Sequence, residues 1–239
     1  MRGRLLKVPP GINGLAPAVA LRYNSGTLDV MNQHWIADGT GTSCDQENRR
    51  TRLQASPVGL GWALDFGALF RSAEVDSQGH TLFYLVHGNR TYELAYVDGT
   101  TYRTKPDDFL RVRHLTGGNN DCPSHEYWLI ETKDGTRLRY GYNSDSEQRA
   151  GRWQFGTDGV QKAWQWCLDQ VTDLHGNRID LEYTEVSAQP PAGFDDTLYY
   201  DQAAYPSHIY YTANGSQAFA ANREVRFLYS NRTDAVANT

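Results

Sequence analysis

The sequence predicts an all-β fold in which serial short antiparallel hairpins form one long curved sheet. Short runs of apolar residues alternate with polar ones, which is the period of a β-strand with one packed face. Gly, Asp and Asn separate these runs, as they do in hairpins. Aromatic residues make up 12% of the 239-residue chain, with 15 Tyr, 6 Trp and 8 Phe, and such residues pair across half-buried strands.

The alternation marks six strand candidates. In the clearest of them, Ile179, Leu181 and Tyr183 alternate with Asp180 and Glu182, so the two sets point to opposite faces. No segment has the apolar spacing of a long amphipathic helix. The candidates occupy, in chain order, residues 19–23, 110–113, 137–140, 164–169, 179–183 and 225–229.

Hairpin turns are predicted at Asp98-Gly99, Asp134-Gly135 and His175-Gly176-Asn177. Gly and Asn tolerate the positive φ that tight turns require. A loose repeat of turn, short strand and aromatic residue follows these turns along the chain. It predicts a single all-β segment over residues 1–239, rather than separate domains. Residues 26–56 are polar and contain no strand candidate, and we expect them to form an inserted loop.

Charge and hydropathy exclude two classes of protein. The net charge is −5 at pH 7, the opposite of what a nucleic-acid-binding domain carries. No apolar run approaches the ~18–20 residues of a membrane-spanning helix. The first ten residues carry positive charge without the apolar core of a signal peptide, so if the protein is exported, we expect the signal to lie elsewhere or the route to be non-classical.

The three cysteines, Cys44, Cys122 and Cys167, are widely spaced and form no CxxC pair. Because a zinc site needs clustered ligands, we expect none here. The spacing is compatible with one disulfide and a free thiol, and equally with three reduced thiols.

Signatures of catalysis and of metal binding are missing from the sequence. The seven His include no HExxH pair, and the chain has no G-x-S-x-G elbow and no Walker loop. Asn143, Asp145 and Glu147 have the alternate spacing of a calcium loop. Gln148 and Gln154, however, stand where that loop needs a glycine and a final carboxylate. We therefore expect no catalytic residue, no cofactor and no metal in this segment.

Two other functions are compatible with the residues. A glycosidase would use paired carboxylates, and the visible pairs are Asp107-Asp108 and Asp195-Asp196. A secreted carbohydrate-binding or adhesion module would stack sugars on surface aromatics. The candidate aromatics are Trp164, Trp166, Tyr199, Tyr200, Tyr210 and Tyr211.

Four motifs follow one another in the first part of the chain. They read PGINGLAP at 10–17, VALRYNS at 19–25, PVGLGWAL at 57–64 and FR at 70–71. The residues that define them are Gly14, Leu15, Pro17, Tyr23, Asn24, Ser25, Gly59, Gly61, Trp62 and Arg71.

Further motifs continue in order: DGT at 134–136, YG at 140–141, WCLDQVTD at 166–173, GNRIDLEY at 176–183 and VRFLYSNRTD at 225–234. Their defining residues are Asp134, Gly135, Tyr140, Gly141, Asp173, Gly176, Asn177, Tyr183, Tyr229, Arg232 and Asp234. The ordered set resembles the N-terminal shell segment of the Rhs/YD-repeat family, as in toxin-complex B components, SpvB-like and Rhs proteins.

The resemblance implies a part of a YD-repeat β-shell and a function without catalysis. The segment would form the wall of a hollow shell that encloses and helps to deliver a C-terminal toxic polypeptide, and the motif residues would be structural. The implied partners are the remainder of the shell, the toxin cargo and other toxin-complex subunits, and the implied location is secreted or cell-surface. The chain departs from the family at residues 26–56, where the family has a short glycine-rich link. It also lacks the later repeats, so we expect it to be the first part of a larger shell.

Overall fold

The computed structural model describes residues 2–23, 62–64, 66–88, 90–152, 154–155, 158–189 and 198–230. They form one single-turn 3-10 helix, Ile12–Gly14, and otherwise strands and their connections, which confirms the all-β prediction. No described helix is long and apolar enough to cross a membrane. The strands are β1 (Arg2–Leu5), β2 (Ala20–Tyr23), β3 (Trp62–Leu64), β4 (Ala68–Val75), β5 (Thr81–His87), β6 (Arg90–Asp98), β7 (Thr101–Lys105), β8 (Arg111–Leu115), β9 (Tyr127–Glu131), β10 (Arg137–Tyr140), β11 (Glu147–Arg149), β12 (Ala163–Thr172), β13 (Asn177–Ala188), β14 (Tyr200–Asn214) and β15 (Arg223–Arg226).

Eight antiparallel strands close into a barrel. Strands β4 to β10 each pair with the next strand in sequence, as serial hairpins do. Strand β12 closes the ring, because residues 165–167 pair with β4 and residues 168–172 pair with β10. The predicted curved sheet of hairpins is therefore confirmed, and its curvature is sufficient to bring the first and last strands together.

Large side chains fill this barrel. The aromatic rings of Phe83, Tyr102, Trp128 and Trp166 make edge-to-face or tilted contacts, with centroids 4.9 to 5.9 Å apart. Trp128 and Trp166 are fully buried. An eight-stranded barrel has an interior just wide enough for side chains, so this one has a packed core and no channel.

A second part of the sheet extends from the barrel. Strand β13 pairs with β12 over residues 178–180 only, and then pairs with β14 along its whole length. Strand β15 lies on the far side of β14. Three register shifts interrupt the β13–β14 pairing, and such bulges bend and twist a hairpin of this length.

A small N-terminal sheet packs against the same core. It has the order β1-β2-β3. Val19 is buried in the core cluster that also contains the barrel residues, and Leu15 and Leu64 pack against that cluster. The Tyr211 hydroxyl on β14 donates a hydrogen bond of 3.2 Å to the Pro9 carbonyl. One continuous hydrophobic cluster therefore joins the described parts of the chain.

The alternation prediction is confirmed for β13 but is wrong for β12. In β13, Ile179 and Leu181 are buried between more exposed neighbours. In β12, the four consecutive residues 166–169 are all buried. Over residues 166–169, therefore, neither face of β12 is exposed to water. Its polar side chains must therefore find partners inside the protein.

The turns lie where the sequence predicts them. Asp98-Gly99 joins β6 to β7, Asp134-Gly135 joins β9 to β10, and residues 173–176 join β12 to β13. Gly135 and Gly176 both have positive φ, of 80° and 79°. These hairpins are thus set by local backbone preferences.

A substitution at Gly141 would test how tightly the barrel is packed. Gly141 has a φ of 70°, and a Cβ there would lie 2.1 Å from Cδ1 of Trp166. The variant Gly141→Ala should therefore lose about 3 kcal/mol of unfolding free energy, from left-handed strain and overlap with the indole. Urea unfolding followed by Trp fluorescence measures this loss.

The matched control is Gly99→Ala. Gly99 also has positive φ, of 45°, but nothing lies within 4 Å of its Cβ position. This variant should lose only about 1–2 kcal/mol of unfolding free energy, which is the cost of placing an alanine in the left-handed backbone conformation. Equal losses in the two variants would contradict the packing argument.

Candidate functional site

A largely buried ion pair joins β4 to the start of β9, with the two side chains 8% and 19% exposed. Arg71 on β4 bonds through Nη2 to Oε2 of Glu126, which immediately precedes β9. Arg71 also donates from Nε to the Ala163 carbonyl, at 2.8 Å. The guanidinium carbon lies 5.1 Å from the ring centroid of Phe83 and 5.4 Å from that of Trp166, so the cation faces two aromatic rings.

His114 on β8 completes this group. Its ring stacks on Trp128 with centroids 4.1 Å apart and planes 8° from parallel. Its Nε2 lies 3.9 Å from Oε1 of Glu126. Burial lowers the pKa of His114 to about 4, against the smaller opposing effect of Glu126, so the imidazole is neutral at pH 7. We call Arg71, Glu126 and His114 the barrel polar group.

A second buried carboxylate lies where β12 changes partners. The register between β10 and β12 shifts so that Arg139 faces Gln170 and Tyr140 faces Leu168, which leaves Asp169 as the extra residue of a bulge. Its side chain is fully buried.

The Asp169 carboxylate accepts four hydrogen bonds. The donors are Nε of Arg139 at 2.7 Å, the backbone N–H groups of Tyr142 (2.6 Å) and Asn143 (3.1 Å), and the Ser146 hydroxyl at 3.1 Å. Three of these donors lie in the segment between β10 and β11. The bulge residue therefore holds the chain at the point where β10 ends and turns toward β11.

A third polar group lies between β11, β13 and β14. We call Glu147, Glu185 and Asp201 the carboxylate cluster. Asp201 accepts hydrogen bonds from the backbone N–H, Nε and Nη2 of Arg149, at 2.8 to 3.1 Å, and from the Ser187 hydroxyl at 2.6 Å. These bonds tie β11 to β14.

The buried carboxylate of Glu147 has fewer hydrogen-bond donors than that of Asp201. The residue is 1% exposed, and its Oε2 accepts one bond of 3.2 Å from the Asp121 N–H. Its Oε1 has no hydrogen-bond partner among the described residues. Arg149 is thus the one arginine of the described chain that offsets the charge of the three carboxylates in this cluster.

The pKa values of all three carboxyl groups are shifted as a result. Burial, together with the charge of Asp201, raises the pKa of Glu147 to about 7 and that of Glu185 to about 8, although Arg149 opposes both shifts. Burial also acts to raise the pKa of Asp201, but the hydrogen bonds from Arg149 and Ser187 outweigh it, and this pKa lies below its ordinary value. The two glutamates therefore carry protons that most carboxyls have lost at neutral pH.

Several family-motif residues lie in these groups or brace them. Arg71 belongs to the barrel polar group, and Tyr140 is buried in the barrel interior. Gly141 accepts, through its carbonyl, a bond of 2.6 Å from Asn120 Nδ2. The Tyr183 hydroxyl donates to the Leu168 carbonyl at 2.7 Å, beside the bulge.

Other motif residues shape turns. Asp134 Oδ1 accepts from the Thr136 N–H at 3.2 Å. Asp173 accepts from the His175 and Asn177 N–H groups, both at 2.9 Å, and from the Asn177 side chain at 2.7 Å. These carboxylates fix hairpin turns, and they lie apart from the three buried polar groups.

Some of the remaining motif residues lie in the described part of the chain, and the others lie outside it. Gly14 has a φ of 80° at the end of the 3-10 turn, Pro17 is buried, and the Tyr229 hydroxyl donates to the Pro206 carbonyl at 2.7 Å. Tyr23 and Trp62 are partners in the β2–β3 register. The described residues do not include Asn24, Ser25, Gly59, Gly61, Arg232, Asp234, Cys44, the Asp195-Asp196 pair or the loop predicted at 26–56, so the predictions for these positions lie outside them.

Burial corrects part of the surface-aromatic hypothesis. Trp166 is fully buried and Tyr211 is 1% exposed, so neither can serve as a sugar platform. Trp164 is half-buried, and its Nε1 donates to the Asp201 carbonyl at 3.1 Å. Tyr199, which is 51% exposed, is the most accessible aromatic of the predicted set.

The other sequence candidates have local roles. The Asp108 carboxylate accepts from the Tyr92 hydroxyl at 2.7 Å, and Asp107 accepts from the Phe109 N–H at 2.8 Å.

Cys122 and Cys167 are free and buried, and burial raises their thiol pKa values to about 11 and about 12. No group of three His, Cys, Asp or Glu in the described ranges could hold a metal ion.

The sequence patterns did not predict the structural roles of five acidic residues: Glu126, Glu147, Asp169, Glu185 and Asp201. Of these, Glu147 stands out in the sequence only for the spacing of a calcium loop. One signal was present for Asp169, because it follows three buried residues in a strand whose neighbours are aromatic or apolar. Glu126, Glu147 and Asp201 have no comparable local signal, because a hydrogen bond that holds each of them spans 26 to 55 residues.

Comparisons with known proteins find similar structures but no similar sequence. No family model and no curated protein matches the sequence. Among the solved structures that superpose on the chain are the following three. The N-terminal domain of effector protein SpvB from Salmonella typhimurium strain LT2 covers 84% of this chain at 18% identity, with a TM-score of 0.45. TcdB2-TccC3-Cdc42 covers 88% at 20% identity, with a TM-score of 0.46. TcdB2-TccC3-TEV covers 98% at 17% identity, with a TM-score of 0.52.

The last of these similarities shows that the chain has a fold found in a TcdB2-TccC3 structure. The chain spans 60% of the SpvB domain structure and 9% and 11% of the two TcdB2-TccC3 chains. The similarity to TcdB2-TccC3-TEV is therefore one of fold, over 11% of that chain.

The barrel ion pair can be tested by a double-mutant cycle. Arg71→Met keeps the length of the side chain but leaves the Glu126 carboxylate without its cation, and should lower the unfolding free energy by about 3 kcal/mol. Adding Glu126→Gln should recover part of this loss. Chemical denaturation of the four proteins gives the coupling energy.

Arg111→Met is the control for this cycle. Arg111 pairs with Glu131 at 3.4 Å but is exposed, so its loss should cost less than about 1 kcal/mol. A coupling energy near zero between Arg71 and Glu126 would contradict the assignment.

The carboxylate cluster predicts a stability that falls with pH. Glu147 loses its proton near pH 4.5 when unfolded but only near pH 7 when folded. Its contribution is thus complete below pH 4.5 and is lost as the pH rises through 7. Glu147→Gln should remove about 3 kcal/mol of this pH-dependent loss, as measured by denaturation between pH 4 and pH 9.

Glu74→Gln is the matched variant, because Glu74 is an exposed glutamate on β4. It should leave the slope of stability against pH unchanged. If Glu147→Gln and the native chain lose the same stability over this interval, Glu147 is not the responsible group.

Proposed function

We propose that this chain is a wall segment of a hollow β-shell that encloses a toxic polypeptide and helps to deliver it. The proposal joins two independent supports. The ordered motifs resemble the N-terminal shell segment of the Rhs/YD-repeat family, and the architecture is similar over 98% of the chain to a TcdB2-TccC3 structure. The partners proposed are the remainder of the shell, its C-terminal toxin cargo and other toxin-complex subunits. The location proposed is secreted or cell-surface.

The observation that carries the proposal is the continuity of a closed barrel with an open sheet. Strand β12 completes the barrel and also begins the extension through β13, β14 and β15. Strand β15 has a described neighbour on one side only. An open edge presents unpaired N–H and C=O groups, which further strands of a wall would satisfy.

The packed barrel supports a structural role for this segment. Its interior is occupied by aromatic rings and by the barrel polar group, and the polar atoms of Arg71 bond to protein groups. The toxic polypeptide would therefore lie in the cavity of the larger shell and not inside this barrel. This segment would contribute a rigid barrel with a packed interior to the wall. We propose no catalytic residue and no cofactor within it.

The size of the native gene product tests the proposal first. Immunoblots of source cells and medium, with an antibody against residues 1–239, should show a product far above the 27.0 kDa of this chain. Negative-stain electron microscopy of the purified product should then show hollow particles. A native product near 27.0 kDa, or a large one without a cavity, would contradict the proposal.

A further inference from the structure

Three loops that are distant in sequence meet around one cleft. They are the 3-10 turn at Ile12–Gly14, the β12–β13 turn and the loop that follows β14. The cleft has a volume of about 400 Å³, which lies in the range of small-molecule sites. It lies apart from the three buried polar groups described above.

The floor of this cleft is rigid. The Asn214 side chain donates to the His175 carbonyl at 3.1 Å and to Asn177 Oδ1 at 2.9 Å, and its own Oδ1 accepts from the Gln217 N–H at 2.9 Å. Asn177 and Asn214 are 3% and 6% exposed. The backbones of Asn214 and Phe219 also exchange two hydrogen bonds of 3.0 Å. The floor is therefore held in place before any ligand arrives.

The walls, in contrast, offer accessible groups. Asn13, His175 and Gln217 are exposed, and no described residue forms a hydrogen bond with the carboxamide of Asn13 or Gln217. Phe219 is 60% exposed at the edge of the cleft. A carboxamide both donates and accepts, so two of them with an imidazole can match adjacent hydroxyl groups.

Backbone strain is concentrated at the same place. Five described non-glycine residues have positive φ, and two of them belong to these loops: Asn13 at 51° and Ala218 at 56°. A third, Thr212 at 75°, lies in β14, two residues before the strand ends. Such conformations are costly for Ala and for β-branched Thr, and they gather at sites that hold a particular geometry.

The chemistry of the lining selects one ligand class. None of the described residues that line the cleft is Asp, Glu, Lys or Arg, so an anionic or cationic ligand would find no counter-charge among them. An apolar ligand would leave the carboxamides unpaired, at a cost. A sugar ring presents hydroxyl groups at its edge and an apolar C–H face that packs on an aromatic ring. We propose that this cleft binds a neutral saccharide, with Phe219 as the platform and with Asn13, His175 and Gln217 as hydrogen-bonding partners.

This inference does not depend on the proposed shell. It also differs from the surface-aromatic hypothesis of the sequence, because none of its residues belongs to the Trp and Tyr set named there. A failure of the shell proposal would leave it standing, and the reverse also holds.

A glycan array tests the inference with the native gene product. The array carries neutral oligosaccharides and their sialylated and sulfated counterparts, and calorimetry with the best neutral glycan follows. We expect binding to neutral glycans that falls at least about tenfold in Phe219→Ala and also weakens in Gln217→Ala. Phe219 and Gln217 are exposed, so melting curves should show both variants folded.

Phe109→Ala is the matched control, because it removes another exposed phenylalanine ring outside the cleft. It should bind as the native protein does. Absence of neutral-glycan binding would overturn the inference, as would a preference for charged glycans or an equal loss in Phe219→Ala and Phe109→Ala. If Phe219→Ala does not fold, unchanged binding by Gln217→Ala overturns it as well.

Discussion

The buried carboxylate of Asp169 allows one strand to serve two parts of the sheet. Strand β12 pairs with β4 and β11 in its first half and with β10 and β13 in its second half, and the partners change around Asp169. An isolated carboxylate in this position would carry a large desolvation cost. Four donors offset that cost, and three of them come from the connection between β10 and β11. The barrel, the extension and the β10–β11 connection are thereby tied to one side chain.

Charge is balanced in the barrel and unbalanced beside it. Arg71 and Glu126 form a one-to-one pair, and the neighbouring His114 is neutral at pH 7. In the carboxylate cluster, Arg149 alone faces Glu147, Glu185 and Asp201, and two of the three carboxyls keep protons to near-neutral pH. The described chain therefore combines a barrel polar group whose histidine is neutral at pH 7 with a β11–β13–β14 contact whose two glutamates lose their protons near neutral pH.

The packing of the barrel bears on where a cargo could lie. Trp128 and Trp166 are fully buried with Phe83 and Tyr102 against them, so the eight strands surround side chains and leave no space for a polypeptide. In the proposed shell, the hollow space is bounded by the sheet that continues from the barrel. The barrel itself then acts as a stiff unit, because an aromatic core at this density resists deformation.

The sequence by itself determined the elements that depend on near neighbours. Turns at Asp134-Gly135 and Asp173–Gly176 follow from positive φ and from carboxylates that accept bonds two to four residues away. The alternation of Ile179 and Leu181 followed from the period of a strand. Barrel closure, however, pairs residues 68–70 with residues 165–167, and its register accumulates over every intervening strand. The ion pair of Arg71 and Glu126, the partners of Asp169 and Asp201, and the meeting of Asn13, His175 and Gln217 all result from that closure and its extension. Only the tertiary structure decided them, because turn and strand preferences act over a few residues, whereas these contacts join parts of the chain that are far apart.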